Sequence, residues 1–214
     1  MKAVLFDLDD TLHDKSSTLR CMAERQFLLF SLVDMGVDVE YWVESYLKHH
    51  NELIPKAEVF ELLKGMFSLS PADTARLLED YDEECGRSAQ PFPGMHELLS
   101  ACKEQRVSLG CVTNGRDGHQ RSKLDGLKIA SCFGSIVTSG GLGVKKPDLL
   151  IFKNCLTQLG VYAKDSVMVG DNYKADMVPA LNLGMRAIWK SHLKSEEVEF
   201  CSDSLHEIRS YLFD

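Results

Sequence analysis

The first apolar run of the chain leads directly into acidic residues. The segment AVLFDL, from Ala3 to Leu8, has the near-continuous apolar pattern of a strand buried on both faces, and Asp7 and Asp9 lie at its end. If the strand continues that far, both carboxylates point to the same side of the sheet, because side chains alternate along a strand. Paired carboxylates can hold a metal ion or perform nucleophilic and acid–base chemistry. An isolated pair of this kind also fits an ordinary turn at the end of a strand.

Three later segments place polar side chains where a strand ends or a helix begins. VTNG ends a second apolar run with Thr113 and Asn114. KKPD places Lys146 before a proline, and GDNYKAD follows another apolar run and contains Asp171 and Asp176. In open parallel sheets, ligands bind beyond the carboxyl ends of the strands. We therefore expect all four segments to lie at one edge of a sheet.

The elements that would position these residues alternate between strands and helices. Short apolar runs recur after the first one, and each is preceded or followed by a helical pattern. This alternation predicts an α/β fold with a mostly parallel sheet. The later strands are predicted from Val107 to Thr113, Ser135 to Ser139, Ser166 to Gly170 and Met185 to Trp189.

One helical pattern between these strands is especially clear. The segment PDLLIFKNCLTQLG begins at Pro147 and ends at Gly160, where a left-handed residue commonly closes a helix. Its apolar residues recur at helical spacing, so we expect the stripe that they form to pack against the sheet. The stripe consists of Leu150, Ile151, Cys155, Leu156 and Leu159.

Residues 15–90 interrupt the alternation with helical patterns alone. The first helix is expected to begin at a cap formed by Ser16 or Ser17 and to end near Gly36. Three more helices are predicted, from Tyr41 to Leu53, Lys56 to Gly65 and Pro71 to Cys85.

The segment PFPGM, which begins at Pro91, breaks the helical region and returns the chain to the α/β pattern. The sequence thus predicts two domains. Residues 1–14 and 91–214 form an α/β core, and residues 15–90 form a helical insert between the first strand and the rest of the sheet.

The composition excludes several classes of partner. The chain of 214 residues carries a net charge of −8 and no long run of Lys or Arg, so a nucleic acid polymer is not an expected partner. Asp7 interrupts the first apolar stretch, and no segment approaches the roughly 20 apolar residues that span a bilayer, so neither a signal peptide nor membrane association is predicted. The seven cysteines form no C-x-x-C pair, which is typical of buried or incidental thiols in a reducing compartment. We therefore expect a cytoplasmic protein.

Taken in order, the segments DLDDT, VTNG, KKPD and GDNYKAD resemble the four motifs of the haloacid dehalogenase-like (HAD) phosphohydrolases. The resemblance covers nearly the whole core, and PFPGMHELL is similar to the point where such chains re-enter the core after a helical cap. It implies an α/β fold with a Rossmann-like parallel-sheet core and an inserted α-helical cap domain. Residues 1–14 and 91–214 would form that core, and residues 15–90 would form the cap, which reads the leaving group of the substrate.

The resemblance also implies a role for each motif residue. Asp7 would attack phosphorus and form an aspartyl-phosphate, and Asp9 would protonate the leaving group and then activate water. Thr113 would donate its hydroxyl to a phosphoryl oxygen, beside the backbone N–H of Asn114. Lys146 would hold the nucleophile and the phosphoryl oxygens together.

A magnesium ion is expected at the same site. Several carboxylates together would repel a dianionic phosphate ester unless a cation lay between them, and clustered hard oxygen ligands favour Mg²⁺. By resemblance, Asp7 would bind the metal through its side chain and Asp9 through its backbone carbonyl, and Asp171 would complete the protein ligands. Asp176 would either contact the metal through water or orient Lys146.

The predicted function is Mg²⁺-dependent hydrolysis of a small phosphorylated metabolite. The aspartate at position 9 favours phosphate esters over carbon–halogen bonds, because a halide needs no acid to leave and the dehalogenase branch of the family lacks this residue. The motifs also fit a phosphomutase, and a binding protein that has kept the fold and lost turnover is a further alternative. His13 and Lys15, beside the nucleophile loop, are candidates for substrate contacts. The identity of the substrate and the oligomeric state are not predicted.

Overall fold

The chain divides into two compact units in the computed structural model, which describes residues 1–52 and 54–214. The core unit comprises Met1–Asp14 and Pro91–Asp214, and the helical unit comprises Lys15–Gln90. Each unit buries its own cluster of apolar side chains. Over the described residues, no helix combines the length and the apolar character that a bilayer span requires.

A sheet of six strands forms the centre of the core unit. Its neighbouring strands all run parallel, so the predicted α/β, Rossmann-like fold is confirmed. The strands of the protein are β1 (Ala3–Phe6), β2 (His13–Asp14), β3 (Gln90–Pro91), β4 (Ser108–Thr113), β5 (Ser135–Thr138), β6 (Ser166–Gly170), β7 (Arg186–Trp189) and β8 (Phe200–Cys201). The short strands β2 and β3 lie outside the six-stranded sheet.

The strand order of the sheet is β5-β4-β1-β6-β7-β8. The chain adds β4 and β5 on one side of β1 and then crosses back to add β6, β7 and β8 on the other side. The order therefore reverses between β1 and β6. In open parallel sheets, the crevice beyond the carboxyl ends of the strands at such a reversal is the usual ligand site. The loops that follow Phe6 and Gly170 lie at this crevice.

The two strands beside the reversal are buried on both faces. All four residues of β1 and all five residues of β6 are buried, as expected for a parallel sheet covered by helices. Leu5 and Met168 are neighbours in the ladder, and both belong to an apolar cluster that includes Phe152 from a covering helix. Dense packing of this kind gives the loops at the carboxyl ends a rigid base.

Within its described residues, 15–52 and 54–90, the helical unit contains four α-helices. They are α1 (Lys15–Leu29), α2 (Val39–His50), α3 (Lys56–Phe67) and α4 (Pro71–Glu84). The prediction for the first helix is wrong at both ends. The helix begins early enough that Ser16 and Ser17 lie inside it. It also ends before Gly36, because the chain turns at Ser31 (φ 48°) and continues as a separate 3₁₀ turn, Leu32–Met35.

The remaining helices of this unit lie close to their predicted positions. α2 begins two residues before Tyr41, because Asp38 caps it by accepting a hydrogen bond from the Tyr41 backbone N–H (2.9 Å). Ser70 caps α4 and accepts from the Asp73 backbone N–H. Leu53, where the second helix was predicted to end, lies outside the described residues.

Six helices belong to the core unit. They are α5 (Met95–Glu104), α6 (Asp117–Gly126), α7 (Ser139–Leu142), α8 (Leu149–Leu159), α9 (Val178–Asn182) and α10 (Leu205–Phe213). α8 begins two residues after Pro147, because Asp148 caps it and accepts from the Leu150 backbone N–H (2.8 Å). The prediction that Leu150 lies on the buried stripe is wrong, since its side chain is 51% exposed. Ile151 and Cys155 are fully buried as predicted.

Candidate active site

The chain turns immediately after β1, at the edge of the sheet. The strand ends at Phe6, and the Asp7 backbone N–H donates to the Val169 carbonyl of the adjacent strand (2.9 Å). Asp10 then adopts a left-handed conformation with φ of 58°. The strand does not extend to Leu8. The alternation of side chains along a strand therefore does not place the Asp7 and Asp9 carboxylates on the same side of the sheet. Each acidic side chain of this loop is oriented by its own contacts.

Asp7 lies in a group of three carboxylates. Asp7, Asp171 and Asp176 each offer an oxygen, and these oxygens all lie within 4.8 Å of one another. Burial and the neighbouring carboxylates raise the pKa of Asp171 and of Asp176 to about 7. Hard oxygen ligands in a group of this size fit Mg²⁺, and a divalent cation would relieve the repulsion that raises these pKa values. The donor set therefore fits the predicted metal.

A buried lysine lies against the same carboxylates. The Nζ atom of Lys146 is 2.6 Å from Asp7 Oδ1 and 2.7 Å from Asp176 Oδ1. Burial alone would lower the pKa of Lys146, but the two carboxylates outweigh it and raise that pKa above its usual value. Asp176 therefore contacts Lys146 and also belongs to the group that could hold a metal. The two roles that the sequence left open for Asp176 are compatible in this geometry.

Asn114 holds the backbone of the lysine segment. Its side-chain Oδ1 accepts from the Lys146 backbone N–H (2.8 Å), and its Nδ2 donates to the Lys146 carbonyl (3.2 Å). The family resemblance implied a role only for the backbone N–H of Asn114. The side chain thus links the end of β4 to the segment that carries the buried lysine, which the sequence motif did not indicate.

Asp9 is held away from the three-carboxylate group by a cation from α6. Lys123 Nζ donates to both oxygens of Asp9, at 2.7 and 2.8 Å, and His13 Nδ1 lies 2.6 Å from Asp9 Oδ1. Burial alone would raise the pKa of Asp9, but Lys123 and His13 outweigh it and hold that pKa well below its usual range. In this geometry Asp9 is an ionised carboxylate.

Gln120 connects Asp9 to the end of β4. Its Nε2 donates to Thr113 Oγ1 (2.6 Å), to Asp9 Oδ2 (3.2 Å) and to the Asn114 carbonyl (3.2 Å). Neither Gln120 nor Lys123 was predicted from the sequence. The available signal was their spacing of three residues shortly after VTNG, which places both side chains on one face of the helix that follows the motif.

The loop after β6 brings its carboxylate close to the backbone. A Cβ atom added at Gly170 would lie 2.5 Å from Asp176 Oδ2, so only glycine allows this approach. The same Oδ2 accepts from the Asn172 backbone N–H (3.1 Å). The glycine in the GDNYKAD segment is therefore required by the packing of the acidic side chain.

Two contacts fix Asp171 beside the first motif. Thr11 Oγ1 donates to Asp171 Oδ1 (3.1 Å), and Trp189 Nε1 donates to the Asp171 carbonyl (2.7 Å). The Trp189 ring also packs edge-on against Tyr173, with ring centroids 4.9 Å apart. These contacts tie the loops after β1, β6 and β7 together.

Lys190, a third buried lysine after Lys146 and Lys123, supports the loop after β1. Lys190 Nζ donates to the Asp10 carbonyl (3.1 Å) and lies 3.5 Å from the centroid of the Phe92 ring. Burial lowers the pKa of Lys190, and the nearby Asp171 and Asp10 partly oppose that effect. Lys190 was not predicted, because its partners are a backbone carbonyl and an aromatic face that are distant in sequence.

The predicted site residues therefore fall into two connected groups. Asp7, Lys146, Asp171 and Asp176 contact one another directly, and Asn114 supports this group through the lysine backbone. Asp9 and Thr113 form the other group, which Gln120 joins. Of the two additional candidates, His13 is buried against Asp9, and Lys15 belongs to the helical unit.

The chain is similar to known hydrolases over most of its length. The family model described as haloacid dehalogenase-like hydrolase matches residues 4–190. A curated glyceraldehyde 3-phosphate phosphatase from Methanothermobacter thermautotrophicus is 31% identical over 194 residues, which cover 88% of this chain and 84% of that protein. The pyrimidine 5'-nucleotidase YjjG from Escherichia coli is 26% identical, with coverage of 98% and 96%.

Solved structures share the same fold over the whole chain. The crystal structure of a HAD phosphatase from Thermococcus onnurineus is 25% identical, covers 99% of this chain and 98% of that one, and has a TM-score of 0.66. The family suggested by the four sequence motifs is thus confirmed by a match that spans most of the core and the whole helical unit. The chain belongs to the haloacid dehalogenase-like hydrolases.

Proposed function

We propose that this protein is a Mg²⁺-dependent phosphatase that hydrolyses a small phosphorylated metabolite through an aspartyl-phosphate on Asp7. The proposal rests on one observation above all. The Asp7 carboxylate lies 2.6 Å from the buried Lys146 ammonium and within 4.8 Å of the Asp171 and Asp176 oxygens. A carboxylate with a fixed cation on one side and a metal-binding group on the other is suited to attack an anionic phosphate ester.

The metal would be held by side chains of this chain. Asp7, Asp171 and Asp176 would supply carboxylate oxygens, and the Asp9 backbone carbonyl is the further ligand that the family resemblance implies. When bound, Mg²⁺ supplies positive charge that offsets the repulsion between these carboxylates and the phosphate oxygens. Its presence would also favour the ionised form of Asp171 and Asp176 at neutral pH.

Phosphoryl transfer begins at Asp7. One carboxylate oxygen of Asp7 attacks phosphorus, and the bond between phosphorus and the ester oxygen breaks. Asp9, which is ionised in the free protein and takes up a proton from solvent in the substrate complex, gives that proton to the departing alkoxide. Asp9 then removes a proton from water, the resulting hydroxide attacks phosphorus, and the bond to Asp7 breaks. Inorganic phosphate leaves, and both aspartates return to their starting states.

Lys146 and Thr113 would bind the phosphoryl oxygens during both steps. Lys146 is already held by two carboxylates, so its ammonium group does not need to be ordered when substrate binds. The Thr113 oxygen accepts from Gln120 Nε2, which leaves the hydroxyl hydrogen for a second acceptor. A phosphoryl oxygen would be that acceptor, beside the Asn114 backbone N–H.

We assign the two units different roles in this reaction. The core unit carries every residue named in the chemical steps, so residues 1–14 and 91–214 would form the catalytic domain. The helical unit, residues 15–90, would form the cap that selects the leaving group. The relatives named above are a glyceraldehyde 3-phosphate phosphatase and a pyrimidine 5'-nucleotidase, which supports a small phosphorylated substrate.

A phosphate-release assay tests the proposal. The purified protein is incubated with para-nitrophenyl phosphate, glyceraldehyde 3-phosphate, phosphoserine and pyrimidine 5'-nucleotides, with Mg²⁺ or with excess chelator. We expect Mg²⁺-dependent release from the aryl ester and from at least one metabolite. Conversion of a sugar phosphate without net phosphate release would indicate a phosphomutase instead, and the lack of any turnover would indicate a binding protein.

A further inference from the structure

The positive charge that pairs with the Asp9 carboxylate belongs to Lys123, a residue outside the four sequence motifs. Its Nζ donates to both carboxylate oxygens of Asp9, at 2.7 and 2.8 Å. The two residues are 114 positions apart in the chain, and the contact joins the loop after β1 to α6. A two-oxygen contact fixes the orientation of the carboxylate as well as its position.

Lys123 is buried at this contact. The residue is 6% exposed, although lysine is among the residues that are least often buried. An ammonium group loses its hydration when it is buried, so the arrangement is stable only when a partner compensates for that loss. Lys123 is therefore placed by its interaction with Asp9, and it is not a surface lysine that happens to lie nearby.

The backbone of Asp9 lies outside the six-stranded sheet and is paired with His13 by an isolated bridge. β1 ends at Phe6, and Asp10 is already in the left-handed region, so the backbone at Asp9 is not part of the sheet ladder. A proton donor must lie within hydrogen-bond reach of the leaving-group oxygen, and a displacement of about 1 Å can reduce the rate by roughly 10²-fold. Lys123 extends from α6 and fixes the carboxylate at the end of the Asp9 side chain.

The same helix connects Asp9 to the predicted phosphate site. Gln120 lies three residues before Lys123 and donates to both Asp9 Oδ2 (3.2 Å) and Thr113 Oγ1 (2.6 Å). His13 Nδ1 completes the contacts around Asp9 at 2.6 Å. Asp9, the proposed proton donor, and the Thr113 hydroxyl, the proposed phosphate ligand, are thus both held by side chains of α6.

We propose that Lys123 is a positioning residue that holds the Asp9 carboxylate in place for proton exchange with the leaving group. This inference rests on the phosphatase function proposed above. Lys123 would act through Asp9, so its effect should depend on how much the leaving group needs a proton. The ester of an alcohol needs that proton, whereas the nitrophenolate of para-nitrophenyl phosphate leaves without it.

The test compares kcat/KM for two kinds of ester in the full-length protein. One substrate is para-nitrophenyl phosphate, and the other is an alkyl phosphate that the wild-type protein hydrolyses, chosen from glyceraldehyde 3-phosphate, phosphoserine and a pyrimidine 5'-nucleotide. The parameter kcat/KM is used because it ends with the first irreversible step, which includes departure of the leaving group. The hydrolysis of the phosphoenzyme is common to both substrates and therefore does not enter the comparison.

The variants separate charge from packing. Lys123→Met keeps the length of the side chain and removes its charge, and Lys123→Arg keeps the charge. Lys153→Met removes an exposed lysine from α8 and is the matched control. Asp9→Ala is the reference for complete loss of the acid. If Lys123→Met does not fold, as judged by its melting temperature, Lys123→Gln replaces it, because the amide is tolerated beside buried polar groups but carries no charge, and the same decrease in the alkyl-to-aryl ratio is expected for it.

We expect Lys123→Met to reduce the alkyl-to-aryl ratio of kcat/KM by at least about tenfold, in the same direction as Asp9→Ala. Lys123→Arg and Lys153→Met should keep that ratio within about threefold of wild type. An equal loss on both esters, or no loss on either, would show that Lys123 only supports the fold or has no role. A ratio in Lys123→Arg as low as in Lys123→Met would contradict the ionic contact as the cause. A wild-type protein that is inactive on every ester would instead overturn the proposed function itself, and this inference with it.

Discussion

The side chain of Asn114 forms two hydrogen bonds with the backbone of Lys146, one to its N–H (2.8 Å) and one to its carbonyl (3.2 Å). Lys146 in turn contacts Asp7 and Asp176 through its ammonium group. Asn114, at the end of β4, thus helps to fix the position of the Lys146 ammonium group that faces the proposed nucleophile, Asp7. The position of the Lys146 charge therefore depends on the side chain of Asn114, even if that side chain makes no contact with the phosphate.

Asn114→Ala should therefore impair catalysis more than stability. The variant loses two hydrogen bonds of about 1 kcal/mol each and leaves the Lys146 segment less constrained. We expect kcat on para-nitrophenyl phosphate to fall by roughly 10- to 100-fold, with a decrease of a few degrees in melting temperature. Asn154→Ala, which removes an exposed hydrogen bond with Gln158 on α8, is the control and should leave kcat unchanged. A wild-type kcat in Asn114→Ala would contradict the role of this contact.

Asp7→Asn should abolish turnover and preserve the fold. An amide is not a nucleophile toward phosphorus, so we expect a loss of roughly 10⁴-fold or more in kcat. Mass spectrometry after rapid acid quench should detect one added HPO₃ group on the wild-type protein and none on the variant. The exposed Asp125 of α6 provides a control, since Asp125→Asn should retain full activity. A phosphorylated Asp7→Asn protein would mean that another residue is the nucleophile.

Magnesium should stabilise the protein more at high pH than at low pH. Asp171 and Asp176 have pKa values of about 7 in the folded protein, against an ordinary value of 3.8. The folded metal-free protein therefore binds more protons than the unfolded chain between about pH 4 and pH 7, and its free energy of unfolding falls as the pH rises through that window. Mg²⁺, bound as proposed, would favour the ionised carboxylates and offset this loss.

Calorimetry with and without the metal measures this effect. At a free Mg²⁺ concentration about 100 times the Kd, we expect a rise of about 5–10 °C in melting temperature at pH 8, from a linkage contribution of about 2.7 kcal/mol. The rise should be clearly smaller at pH 5, where protons compete for the carboxylates. Asp171→Asn should remove most of the response at pH 8. A metal response that is the same at both pH values would argue against this site.

Gly170→Ala should disturb the acidic group directly. The added Cβ would lie 2.5 Å from Asp176 Oδ2, so the carboxylate or the strand end must move. We expect a loss of about 1–3 kcal/mol in stability from overpacking and a decrease of at least about tenfold in kcat. Gly118→Ala on α6 is the matched control, because a Cβ there meets no atom within 4 Å. That control should be neutral or slightly stabilising, and equal effects of the two substitutions would contradict the close approach at Gly170.

The sequence by itself determined the family, the fold class and most of the residues proposed for the site. Buried parallel strands are nearly continuous apolar runs, so strands such as β1 and β6 could be recognised from their local composition. The motif residues at the strand ends could be recognised because parallel strands bring their carboxyl ends to one edge. Each of these signals is local, because the residues that carry it lie within a few positions of one another in the chain.

The tertiary structure decided which of these residues touch and what supports them. The separation of Asp9 from Asp7, and its contact with Lys123, depend on where the loop after β1 turns and on how α6 packs. Leu150 fits the apolar stripe of its helix, yet it is exposed, because the orientation of a helix on a sheet is set by all of its neighbours together. A contact between residues that are 114 positions apart carries no local periodicity, so it becomes visible only when the chain is packed.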